Sequence, residues 1–270
     1  MTLTTSSLDK AHRLQGENLT LSYDDRIICK DLELSIPQGQ FTVIVGPNGC
    51  GKSTLLRSLC RLLKPTQGQV TLDGKSIHRF PAKQLAKELG LLPQSSQAPE
   101  GIRVVDLVAR GRYPHQKLFK QWSREDQLAV HKAMQDTGIT DLSERQVDEL
   151  SGGQKQRVWI AMVLAQQTPI VLLDEPTTYL DLAHQIDLLE LFRTLNREQG
   201  HTIVSVLHDL NQACRYADHL IAFADGEIVA QGKPNTLISS DLVKQVFGLD
   251  SVIIEDPVSH TPMIVPRGNY

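Results

Sequence analysis

The segment FTVIVGPNGCGKST, residues 41–54, constrains the fold of this 270-residue chain more than any other. Its first half is an apolar, β-branched run of the kind that forms a fully buried strand. GPNGCGKST (46–54) follows at once, and STLLRSLCRLL, up to Pro65, has helical character. Glycines at 46, 49 and 51 let the backbone curl without a Cβ in the way, so that its N–H groups can converge on an anion. A strand, a glycine-rich loop and a helix in this order are the setting in which such a loop cradles the phosphates of a nucleotide. Lys52 would reach the β- and γ-phosphates, Ser53 would offer a hydroxyl ligand to Mg²⁺, and Thr54 with the flanking N–H groups would hold the α-phosphate. The candidate loop is therefore Gly46, Pro47, Asn48, Gly49, Cys50, Gly51, Lys52, Ser53 and Thr54. A turn that merely joins strand to helix is the plainer reading, and the complete motif in its proper context weighs against it. Cys50 is either a small filler or, at a helix start that lowers thiol pKa, a target for alkylation.

The rest of the chain points to an α/β architecture. Residues 17–36 alternate as two β-rich segments, LTLSY and RIICKDLELSI, with a turn at Asp24-Asp25, and TQGQVTLDG reads as a further strand and turn. From residue 95 to 150 the texture is helical. There SREDQLAVHKAMQDTG opens on Ser123 with an acidic residue three on, a capping signal, and stops at Gly138. Strand character returns in PIVLLDE (169–175) and HTIVSVLHD (201–209), with the helical LAHQIDLLELFRTLNREQ between them. This βαβ alternation predicts a mainly parallel sheet with a helical insert. The carboxyl end, EDPVSHTPMIVPRGNY, holds three prolines and is expected to run extended as a packed tail.

Two further strands end on groups suited to phosphate chemistry. Asp174 emerges from IVLLDE at the carboxyl edge where open α/β sheets place their ligands, and would hold Mg²⁺, directly or through water. Glu175 beside it is the candidate to polarise an attacking water. Ordinary capping carboxylates are the alternative for this pair. His208 follows TIVSVL and would contact the γ-phosphate from the same edge. LSGGQ (150–154), which opens the run QKQRVWIAMVLAQQ, is a second glycine-rich helix start, and helix N-termini attract phosphate.

Composition excludes several classes. With 28 basic and 31 acidic residues there is no bulk charge for nucleic acid, and an aromatic content of 5% is poor material for stacking bases. Cys29, Cys50, Cys60 and Cys214 form no CxxC or Cys/His pattern, as in a reduced, cytosolic protein without a cysteine metal site. MTLTTSSLDKAHRLQ lacks the apolar stretch of a signal peptide. The longest apolar run, VWIAMVLA, falls far short of the roughly 18 residues a membrane span needs. The chain is expected to be soluble and to meet a membrane only through a partner.

GPNGCGKST, LSGGQ followed by KQR, and LLDEP with a downstream histidine occur together and in order. In this the chain resembles the ATP-binding subunits of ABC transporters, over residues 17–230. The resemblance implies a phosphate-loop NTPase core with a mainly parallel sheet, an antiparallel β subdomain and a helical insert. It implies one domain over 1–270, with the core at 1–94 and 168–230, the helical subdomain with the LSGGQ signature at 95–167, and a C-terminal extension at 231–270. It implies two subunits stacked head to tail, each ATP held by the loop of one and the LSGGQ of the other. Ser151, Gly152, Gly153 and Gln154 would then close over a partner's ATP. Tyr23 would stack on adenine, its alternative being a core or cross-strand aromatic. Gln94, after LGLLP, would contact Mg²⁺ and the water, its alternative a plain loop residue. Asp181, in TTYLD, would lie on the loop that crosses to the other subunit. DEPTTYLDLAHQ and GRYPH resemble the importers of ferric siderophores, with cobalamin and haem importers as near relatives. In that branch ATP and Mg²⁺ are the cofactors, and the partners are a second copy, separate permease subunits and, indirectly, a substrate-binding protein. The site of action is the cytoplasmic face of the inner membrane. A soluble ABC ATPase acting on DNA or ribosomes is disfavoured by the single phosphate loop and the lack of heptads. A GTP switch or small-molecule kinase is disfavoured by the missing N-K-x-D motif and has no use for LSGGQ.

Overall fold

The computed structural model of the chain describes residues 12–24, 26–94, 96–116, 122–178 and 180–268. Half of the Asp24-Asp25 turn, Tyr179 of DEPTTYLDLAHQ and most of the N-terminal stretch lie outside the described residues. The chain forms two compact units, one made of residues up to Arg79 and from Thr202 onward, the other of Phe80–His201.

The first part supplies strands β1 (Leu14–Tyr23), β2 (Arg26–Ile36), β3 (Phe41–Val45), β4 (Gln67–Leu72) and β5 (Lys75–Ser76), with helix α1 (Lys52–Leu59) after β3. The middle supplies α2 (Ala82–Leu85), β6 (Leu89–Leu92), α3 (Val104–Ala109), α4 (Arg124–Asp136), α5 (Gly152–Ala165), β7 (Ile170–Asp174) and α6 (Leu182–Gln199). From Thr202 come β8 (Thr202–Val206), α7 (Leu210–Tyr216), β9 (His219–Ala224) and β10 (Glu227–Gly232). Helices α8 (Pro234–Leu237) and α9 (Ser240–Phe247) and strands β11 (Ser251–Glu255) and β12 (Pro262–Pro266) complete the chain.

In the first unit β3 lies between β8 and β9 and runs parallel to both, while β10 pairs antiparallel with β9. FTVIV and TIVSV are buried along their whole length, which is what strands covered on both faces demand. A separate antiparallel sheet has the order β2-β1-β4-β5. The β9–β10 hairpin goes beyond the strands read from the sequence, although its turn is well marked. Asp225 and Gly226 both take positive φ (49° and 80°), the pattern of a two-residue hairpin turn whose twist matches its strands. Helix α1 stops at Leu59, short of the Pro65 that the sequence suggests. Arg61 turns left-handed (φ 66°), and the N–H groups of Leu62 and Leu63 close back on the Arg57 carbonyl.

The carboxyl end departs from a merely extended tail. Its strands pair as the antiparallel hairpin β11–β12, and Ile264 donates its N–H to Asn211 Oδ1 of α7 at 2.7 Å. Asp256 ties the hairpin down by accepting from Arg215 and from the N–H groups of Val258 and Ser259, which hold its carboxyl well below the usual range.

In the second unit β6 and β7 pair in parallel, Leu89 beside Ile170. Helices α3, α4 and α5 enclose a core of their own that includes Val104, Leu107, Val130, Met134, Val158 and Ala161. Helix α4 starts as its sequence predicts: Ser123 and Asp126 form a reciprocal capping box, and Gly138 (φ 65°) follows its last turn.

GRYPH is a packing knot against the C-terminal end of α5. A Cβ at Gly111 would stand 2.1 Å from the Met162 carbonyl oxygen. Arg112 donates to Asp126, to the Ala165 carbonyl and to Gln167, each at 2.8 Å, and His115 Nε2 lies 2.8 Å from the Gln166 carbonyl. Burial alone would raise the Asp126 carboxyl, but its hydrogen bonds from Arg112 and Ser123 outweigh that and lower it. Both members of the pair are buried. Arg112→Met is therefore expected to strand a buried carboxylate at a cost of about 3–5 kcal/mol. Denaturant unfolding measures this, and a loss below ~1 kcal/mol would contradict it.

Candidate nucleotide-binding and hydrolysis site

The phosphate loop leaves β3 and enters α1 through three glycines with separate reasons to be glycine. Gly49 (φ 77°) and Gly51 (φ 111°) hold left-handed backbone. At Gly46 a Cβ would meet the Phe223 carbonyl oxygen at 1.9 Å, so only a glycine lets β9 come this close. Lys52, the first residue of α1, is 4% exposed, and its Nζ donates to the carbonyls of Gly46 (2.9 Å) and Pro47 (2.8 Å). Its positive charge is thereby held over the loop, at the positive end of the α1 dipole. Ser53 is half-buried and Thr54 buried in the first turn, while Asn48 is exposed.

Of its two readings, Cys50 fits the small filler. Its thiol is buried, and burial pushes its pKa up despite the opposing pull of Lys52 and nearby N–H groups. The helix start does not make it an alkylation target; it fills space. Tyr23, at the end of β1, is 42% exposed and so is no core aromatic, and its hydroxyl accepts from Arg57 Nη1 of α1 at 3.3 Å. His208 is exposed, two residues beyond β8 and just ahead of Asp209, the N-cap of α7.

In the second unit β7 delivers Asp174, buried, as its last residue. Glu175 follows with φ 52°, a left-handed conformation uncommon for such a side chain, as strained residues at reactive sites often are. Gln94, just past β6, is brought to it: its Nε2 donates to Glu175 Oε2 at 2.7 Å. Thr178 adds a second donor, Oγ1 to the same oxygen at 3.3 Å. That threonine is a site residue sequence reasoning missed; its only signal is a hydroxyl three positions after a strand-end carboxylate.

LSGGQ lies in this unit too. Ser151 caps α5 by accepting from the Gln154 N–H (3.3 Å), and the Gln154 side chain accepts from the Ser151 N–H (3.1 Å). The serine hydroxyl proton remains a donor in that arrangement. Gly152 is exposed and takes no positive φ, and among the described residues a Cβ there would meet nothing within 4 Å, while one at Gly153 would touch Leu180 and His184 at ordinary distances. Asp181 is exposed and caps α6: its Oδ1 accepts from the His184 N–H (2.9 Å) and sits 2.6 Å from His184 Nδ1. The backbone and then the ring of His184 lower its carboxyl pKa.

The ABC transporter family matches residues 29–178. The ferric enterobactin transport ATP-binding protein FepC of Escherichia coli is 59% identical over 256 residues, 95% of this chain and 94% of that protein. The achromobactin transport ATP-binding protein CbrD of Dickeya dadantii is 54% identical, over 94% of this chain and 95% of the other. Among solved structures, a dimeric bacterial ABC transporter cassette superposes with a TM-score of 0.73 at 30% identity, over 82% of this chain and 98% of that one. With a family match across more than half its length and relatives this similar from end to end, the chain belongs to the ABC transporter family.

Proposed function

We propose that this chain is the ATP-hydrolysing subunit of a ferric-siderophore importer, working on separate permease subunits at the cytoplasmic face of the membrane. A substrate-binding protein would deliver the chelate from the other side. The observation that carries the substrate class is the near-full-length similarity to proteins named for ferric enterobactin and achromobactin transport. Among the described residues no helix is long and apolar enough to cross a membrane, so the permease would be a partner.

In this reading residues 46–54 hold the triphosphate, Lys52 neutralises the β- and γ-phosphates, and Tyr23 offers its exposed ring to adenine. Glu175, held by Gln94 and Thr178, orients the attacking water, and His208 contacts the γ-phosphate. Ser53, Gln94 and Asp174 would hold Mg²⁺. They present a hydroxyl, an amide carbonyl and a carboxylate, all oxygen donors of the kind a hard cation takes, and Gln94 spends its nitrogen on Glu175. When bound, Mg²⁺ supplies charge neutralisation at the phosphates.

Two copies would share each ATP. Gly152 supports this: among the described residues neither backbone conformation nor packing calls for a glycine there. A partner's phosphate approaching the α5 N-terminus does; Ser151, Gly153 and Gln154 flank Gly152 in sequence, and Gly153 faces Leu180 and His184, close to Asp181 at the start of α6.

Deleting the gene is expected to stop growth on one ferric chelate as sole iron source while uptake of unrelated carbon sources continues. Normal growth on every ferric chelate, with another nutrient failing instead, would overturn the substrate class.

A further inference from the structure

The β9–β10 hairpin contributes more than a strand pair to the first unit. Its turn reaches the phosphate loop: the Gly226 N–H donates to the Cys50 carbonyl at 3.1 Å. Two more contacts press the same hairpin on the loop, the Phe223 carbonyl against Gly46 and the Phe223 ring beside Gly51, where an added Cβ would lie at 1.9 and 3.2 Å. From below, β2 backs both partners. A Cβ at Gly226 would stand 2.1 Å from the Ile28 carbonyl oxygen, and one at Gly51 would stand 3.0 Å from Cys29 Sγ.

A trans peptide carries its C=O and N–H on opposite sides of the chain. Fixing the Cys50 carbonyl toward Gly226 therefore aims the Gly51 N–H away from Gly226. Gly51 itself has little intrinsic preference to hold that orientation, since glycine moves freely between left- and right-handed backbone. We propose that the Asp225-Gly226 turn is a positioning device for ATP binding, which locks the Cys50–Gly51 peptide with its N–H turned to the phosphates.

The proposal rests on residues 46–54 being the phosphate-binding loop, and the test separates the two. Asp225 holds φ 49°, which asparagine tolerates and a β-branched residue does not. Asp225→Val should let the turn leave its left-handed geometry and release the Cys50 carbonyl. Asp225→Asn removes the same negative charge yet keeps the turn. The charge lies close enough to Cys50 to raise its thiol pKa, so losing it near a polyanion should if anything favour ATP. Charge and brace thus act with opposite signs.

The measurement is titration of the purified full-length chain with a fluorescent ATP analogue, reading Kd and stoichiometry. For Asp225→Val the Kd is expected to rise about tenfold, the weight of one charge-assisted hydrogen bond, with Asp225→Asn close to the unaltered chain. A merely structural role would lower the binding stoichiometry, through loss of folded protein, and leave Kd alone. A Kd unchanged in Asp225→Val, or raised equally in Asp225→Asn, overturns the proposal. If Asp225→Val does not fold, exchange of the Gly226 amide in the unaltered protein decides. A hydrogen bond to Cys50 predicts slow exchange, and exchange at the rate of an open turn overturns it. Should Lys52→Ala bind the analogue normally, the loop assignment itself fails; should only Asp225→Val bind normally, the brace alone does.

Discussion

Lys52→Ala is expected to weaken ATP binding about 10- to 100-fold, the weight of one or more charge-assisted hydrogen bonds to phosphate, and to carry hydrolysis down with it. The side chain does two things at once. Its ammonium group is the positive charge held over the loop, and its Nζ also ties the Gly46 and Pro47 carbonyls that shape the loop's entry. Truncation removes the charge and leaves the buried Gly46 carbonyl short of a donor. The substitution should therefore also lower the thermal midpoint of the nucleotide-free chain. ATP titration and Mg-ATPase assay of the purified complex measure the effect. Full activity would remove Lys52 from the site.

Glu175→Gln is expected to separate binding from chemistry. The amide matches the carboxylate in size and can still accept from Gln94 Nε2 and Thr178 Oγ1, so the local hydrogen bonds and the φ of 52° have no reason to change. What disappears is the negative charge that draws a proton from the attacking water. Loss of a general base costs about 10²–10⁴ in rate. Turnover at saturating ATP should fall by that factor while ATP affinity stays within a few-fold of the unaltered chain. A matching loss of affinity would mean that Glu175 holds the nucleotide and does not act on water.

The strand, glycine-rich loop and helix of residues 41–59 were legible in the sequence because everything they need is local: a buried strand, glycines free to turn, and a helix start within one short segment. Helix α4 was legible for the same reason, since its Ser123–Asp126 cap spans a single turn. Strand β7 and its terminal Asp174 followed from a run of four apolar residues. What escaped depends on partners distant in sequence. No periodicity reports that Gly226 will donate to Cys50, that Gly46 must admit the Phe223 carbonyl, or that GRYPH will lock onto the end of α5. The sequence left two readings open for the Cys50 thiol, and burial outweighs the helix start there, because a helix N-terminus in solvent and one packed under a hairpin are different media. The tail hairpin was hidden by its prolines, which suit an edge strand as well as an extended chain.

Ferric-siderophore import driven from a shared ATP stands or falls on two chains closing over the nucleotide, and static light scattering of the Glu175→Gln chain tests this most directly. With hydrolysis blocked and binding intact, added ATP should double the scattering mass of the isolated chain, or bring two chains onto each other when the permease is present. Gly152→Leu is the matched probe: a Cβ there meets nothing within 4 Å among the described residues and Gly152 takes no forbidden backbone, yet a leucine would obstruct a partner's γ-phosphate. The account predicts that Glu175→Gln with Gly152→Leu binds ATP normally and stays a single chain. An ATP-dependent dimer that survives Gly152→Leu, or a Glu175→Gln chain that binds ATP beside its permease without pairing, would contradict it.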